Sequence, residues 1–166
     1  ISLALVLTLI SAAMTLLALA VSVAVTMASP PSGVTPTVLA RGTYDAFKVR
    51  SYPQGPGDFK AESKAPTDIV VRKHDYAVGS STGWHSHPGP VLVTVAKGTL
   101  AEFHAAGRSC PRSIVTAGQA FVESGGVVHL ARNAGSSPVE LNATFLARPG
   151  TTDLLVPERE PRACHV

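Results

Sequence analysis

The chain has 166 residues, 45% of them apolar and 15% charged, a length that suits one domain and is short for two independent cores. Its 14 Lys and Arg against 11 Asp and Glu leave a formal charge of +3 with no basic block, which argues against a nucleic-acid partner. Its 14 Gly and 13 Pro are scattered, and no fixed-spacing repeat appears, so collagenous, low-complexity and solenoid architectures are excluded too.

The charges are unevenly placed, because residues 1–40 contain no Asp, Glu, Lys or Arg. Within that stretch Leu3 to Ala28 is an almost unbroken run of Leu, Val, Ala, Ile and Met, which as a helix would be about 39 Å long. An N-terminal hydrophobic helix is therefore predicted over residues 1–28, either a cleaved secretory signal or a retained anchor. Both place the rest of the chain outside the cytoplasm, secreted or attached to the membrane through residues 3–28. Residues 29–36, Ser-Pro-Pro-Ser-Gly-Val-Thr-Pro, read as an extended linker, since the prolines remove backbone donors and the small polar residues bury nothing.

From there the chain shows short runs of β-formers: Thr37 to Tyr44, Phe47 to Ser51, Asp68 to Val78, Val91 to Ala96, Thr99 to Phe103, Ser113 to Thr116, Gln119 to Glu123, Val127 to Arg132 and Val139 to Ala147. Gly, Pro, Ser or Asn separates nearly every pair, and no helical periodicity follows residue 28. Strands at this spacing imply an antiparallel sandwich or barrel, whose closure hides the sheet edges. Cys110 and Cys164 are the two cysteines. In an exported chain an even pair is expected to be bridged, which would tether the tail, residues 149–166, to the body. The alternative is two unrelated thiols.

Three histidines carry the chemistry. His85 and His87 stand two apart in Gly83-Trp84-His85-Ser86-His87-Pro88, so an extended backbone projects both imidazoles to one face. His129 follows a glycine turn in Gly125-Gly126-Val127-Val128-His129, and if its strand lies beside the first, three neutral imidazoles can share one ion. The other candidates have plainer readings. Glu123, before the glycine turn, reads as a solvated strand-end acid, the alternative being a carboxylate supplied to the site. Glu102 and His104 share one strand face at an exposed hairpin end, and His74 and His165 read as surface residues. Trp84 is read either as a pocket wall or as packing. Tyr76 and Phe121 are candidates to face the barrel interior.

The spacing is similar to both signature motifs of the cupin superfamily. Gly79, five residues, His85-Ser86-His87, three residues, Val91, six residues and Gly98 follow the count of the first. Gly118, five residues, Ser124-Gly125-Gly126, two residues, His129, three residues and Asn133 follow the second. The strings around these motifs, with a cysteine near the end, also resemble a group of exported bacterial small cupin-domain proteins. The resemblance implies an all-β fold, a single jelly-roll type antiparallel β-barrel over residues 37–148. It further implies a metal site of His85, His87 and His129 holding Fe, Mn, Ni or Zn, and by analogy a homodimer. Two positions depart from the family pattern. Ser124 replaces a turn proline, at small cost, and Val91 stands where the family has a glutamate ligand. The implied site is a three-histidine one, as in the thiol and diketone dioxygenase branches, leaving the ion's 2+ charge uncompensated and open to an anionic or chelating ligand. The functional expectation is an exported metal-dependent oxidoreductase, dioxygenase-like, acting on a small chelating substrate. The alternatives are a non-catalytic module that holds a small ligand or a metal, and a metal-free structural barrel.

Overall fold

A computed structural model describes residues 28–51 and 57–166. The hydrophobic run of residues 1–28 therefore lies outside the described residues, apart from Ala28. Among the described residues no helix is long and apolar enough to cross a membrane, and all regular structure is β. The strands are β1 (Ser32–Tyr44), β2 (Phe47–Arg50), β3 (Lys60–Ser63), β4 (Thr67–Ser81), β5 (His85–Ser86), β6 (Val91–Lys97), β7 (Thr99–His104), β8 (Arg112–Thr116), β9 (Ala120–Glu123), β10 (His129–Arg132), β11 (Val139–Ala147) and β12 (Val156–Pro157).

Two antiparallel runs build a nearly closed barrel. One is β1-β4-β11-β6-β9, the other β8-β7-β10-β5-β12, and the pair Arg132↔Ser81 joins them where the long β4 meets β10. β2 and β3 form a separate hairpin. Period-two alternation decides what enters the core. On β11 Val139, Leu141, Ala143, Phe145 and Ala147 are buried, with the residues between them half-buried. They pack with Val70, Val91, Val93 and Val95 of their own run and with Leu100, Val115 and Ala131 of the facing one. A second cluster, Trp84, Ala101, Phe103, Leu130 and Cys164, lies on the outer face of β7 and β10. The disulfide Cys110–Cys164 holds the C-terminal tail over it. β7 and β10 are thus covered on both faces.

The segment read as a linker, residues 29–36, is strand from Ser32 onward. β1 pairs with β4 through Val34↔Tyr76, Thr35↔Asp75 and Pro36↔His74. Pro36 is tolerated because β1 has a neighbour on one side only, and an edge strand can lack a donor. The β4 strand runs on to Ser81 and offers a partner that the composition of residues 29–36 does not disclose. Asp68 fastens the other end, accepting hydrogen bonds from Thr43 Oγ1 (2.6 Å), Gly150 N (3.0 Å) and Arg41 Nη1 (3.3 Å).

Candidate metal centre

His85, His87 and His129 converge inside the barrel, all buried. β5 and β10 are adjacent and antiparallel with His129 opposite His85, so both rings leave the sheet on the same face. Two residues beyond His85, His87 shares that face. Ring centroids are 4.3 Å apart for His85 and His129, 4.8 Å for His85 and His87, and 4.9 Å for His87 and His129. One ligand nitrogen from each lies within 4.8 Å of the others.

The turns that present these rings are fixed by backbone contacts. Gly126 N donates to His87 O at 2.9 Å, and Gly126 has φ +74°, a left-handed conformation that favours glycine. Beside it Gly125 lies so close to Gly89 that an added Cβ would stand 2.9 Å from the Gly89 Cα. The loop after His87 and the loop before His129 are therefore packed backbone against backbone. Asn133 locks the far end of β10. Its Nδ2 donates to the carbonyls of Ser137, Ala77 and Tyr76 at 2.9, 3.1 and 3.3 Å, and its Oδ1 accepts from Gly135 N.

Each imidazole is oriented by its Nδ1. His85 Nδ1 donates to Gly83 O (3.0 Å), His87 Nδ1 to Leu154 O (2.6 Å) and His129 Nδ1 to Val127 O (2.9 Å). A carbonyl only accepts, so each Nδ1 carries the hydrogen and each neutral ring keeps a lone pair on Nε2. Backbone carbonyls of this kind commonly set the tautomer of metal-ligating histidines. His129 Nε2 is also buried without a hydrogen-bond partner. Such a donor set fits a divalent transition metal.

The structure corrects three sequence expectations. Glu123 is not a solvated strand-end acid but 7% exposed. Its Oε2 lies 3.1 Å from His87 Nε2 and its Oε1 3.1 Å from His129 Nε2. By period two it enters the barrel with Phe121, while Val122 between them points to solvent. Glu102 is not at an exposed hairpin end but 2% exposed, and it contacts His104 Nε2 at 3.1 Å. β7 has neighbours on both sides, β8 and β10, with His104 opposite His129 and Glu102 opposite Ala131. Leu100, Glu102 and His104 therefore share the inward face. His74 is buried rather than superficial, and its Nε2 has no partner. His165 is exposed, as expected. Trp84 belongs to the outer cluster beneath the tail, and Tyr76 and Phe121 do line the interior.

Burial dominates the electrostatics. It pushes His85 down to about 3, helped by the neighbouring His129, and pushes His74 down to about 4, helped by Arg72. Burial raises Glu102 to about 8, and Glu123 adds to the rise. For Glu123 burial opposes ionisation, but the imidazoles of His129 and His87 beside it outweigh that and hold the carboxyl below its usual range. His129 is correspondingly raised: Glu123 overcomes the burial that would lower it. The cavity beside the histidines, lined by His74, Tyr76, Phe121, Glu123 and Phe145 among others, is about 20 Å³, room for about one water.

A nearly closed antiparallel barrel with His85 on β5, His87 in the loop that follows it and His129 on the paired β10 is a barrel of cupin type. Comparison with known families agrees with that fold: the cupin domain model matches residues 73–146. Among solved structures the chain is similar to an oxalate oxidase in complex with the substrate analogue glycolate, at 26% identity over 46% of this chain and 41% of that one, with TM-score 0.44. The chain thus spans about two fifths of that enzyme's length. It is also similar to a cupin domain protein from Bordetella pertussis Tohama I, at 20% identity over 72% and 97% of the two chains, with TM-score 0.45. A third likeness is oxalate decarboxylase from Bacillus subtilis, at 11% identity over 54% and 23%, with TM-score 0.48. Comparison with curated proteins returns no match.

Proposed function

We propose that the protein is an exported metal-binding cupin in which His85, His87 and His129 hold one divalent cation, Fe, Mn, Ni or Zn. The observation that carries this reading is the convergence of three Nε2 lone pairs, each fixed by a carbonyl on the opposite ring nitrogen. The ion would supply Lewis-acid chemistry, or with iron oxidation of a small chelating substrate by dioxygen. This chain's own residues orient the three rings, exclude bulk water and place Glu102 and His104 beside His129. The uncharged N-terminal run and the disulfide favour an oxidising, extracytoplasmic compartment. A second reading, a module that holds metal or a small ligand without turnover, is favoured by the size of the interior cavity, about 20 Å³.

The test is elemental analysis of the purified protein beside a His85→Ala, His87→Ala double variant. About one equivalent of metal is expected in the native protein and less than a tenth of that in the variant; equal metal in both would refute the site. Oxygen uptake with thiols, diketones and phenolic acids then separates the two readings, since a holding module consumes none.

A further inference from the structure

The three histidines are neutral donors, and the first-motif position that would carry a carboxylate is Val91. The strand register shows where a carboxylate is available instead. β6 and β9 are antiparallel neighbours in which Val91 stands directly opposite Glu123. Residues paired in this way project to the same face of a sheet, and both side chains lie inside the barrel. The Glu123 carboxylate spans the gap between two of the rings, 3.1 Å from His87 Nε2 and 3.1 Å from His129 Nε2.

With the rings neutral, those contacts lack a hydrogen. Each ring donates its one hydrogen to a backbone carbonyl through Nδ1, so the three Nε2 atoms and the carboxylate oxygens present electron pairs to one another. Independently, His129 Nε2 is 99% buried with its residue and has no hydrogen-bond donor. Electron pairs facing each other in a dry interior are unfavourable unless a cation lies among them.

We infer that Glu123 is the fourth protein ligand of the metal, so that the carboxylate comes from β9 in place of the neighbouring β6. The inference rests on the metal-binding reading above. It changes the electrostatics expected from three histidines alone: one unit of the 2+ charge is neutralised within the protein. The remaining positions then suit water or a single small anion, in keeping with the water-sized cavity beside them.

The experiment titrates Mn(II) and Zn(II) into the metal-stripped full protein by calorimetry. It compares the native chain with Glu123→Gln, which keeps the side-chain volume, and with the relocation variant Val91→Glu, Glu123→Val. The native protein is expected to bind one equivalent, Glu123→Gln to bind at least about tenfold more weakly, and the relocation variant to recover to within about threefold. A shift of the carboxylate stretch on adding Mn(II), present in the native protein and absent in Glu123→Gln, reports the same bond even where relocation impairs folding. Native affinity in Glu123→Gln, together with lost binding in the double histidine variant, would leave a real three-histidine site and overturn the role of Glu123. No binding by the native protein would overturn the metal-binding reading itself.

Discussion

Breaking the Cys110–Cys164 bridge should destabilise the barrel by about 4 kcal/mol. The two cysteines are 54 residues apart in sequence, and closing a loop of that length removes about 14 cal/mol/K from the unfolded ensemble in the chain-entropy account. The bridge does more than restrict the unfolded chain. Behind it the tail pairs β12 with β5, Glu158 N donates to Trp84 O at 2.9 Å, and Leu154 O accepts the Nδ1 hydrogen of His87. Cys164 itself is fully buried against Trp84 and Phe103. A Cys110→Ser, Cys164→Ala variant, with alanine chosen so that no hydroxyl is buried, should show its urea midpoint lowered by about 2 M if the slope is about 2 kcal/mol/M. Trp84 is the chain's one tryptophan and lies under the tail, so its fluorescence reports the transition directly. Reduction of the native protein should reproduce the shift. A change below about 0.5 M would refute the reasoning, because it would mean that the tail and β5 hold together without the covalent tie.

Asn133→Ala should cost about 3 kcal/mol in the same assay, since it leaves three carbonyls and the Gly135 N–H without their partner. A loss under about 1 kcal/mol would show that water replaces the side chain. His74 gives a pH signature. Its folded-state value is held at about 4 against an ordinary 6.5, so between those values the unfolded chain binds the extra proton. Its contribution is intact above pH 6.5 and is lost as the pH falls toward 4, amounting to about 2 kcal/mol at pH 5. The stability difference between native protein and His74→Leu, measured at pH 7 and pH 5, should change by about that amount in favour of the variant; an unchanged difference would place His74 in contact with solvent.

Much of the molecule was legible from residue order alone. Short runs of β-formers bounded by Gly, Pro, Ser and Asn located the strands from Phe47 onward, apart from the short β3, β5 and β12. The counts around His85-Ser86-His87 and His129 marked the histidines that the fold brings together. These features depend on neighbours along the chain and on spacing, which a linear reading contains. Which face of a strand is covered is a different kind of fact. Glu102, Glu123 and His74 carry no local sign of burial, because a strand's pleat only sorts side chains into two faces and its neighbours decide which face is enclosed. Glu102 is interior because β7 lies between β8 and β10 with the tail over its far side, and Glu123 meets two imidazoles because β9 sets it opposite Val91. Likewise Ser32 to Pro36 are strand because β4 runs on to Ser81 and supplies hydrogen-bonding partners. Such pairings join residues far apart in sequence, and barrel closure alone brings them into contact.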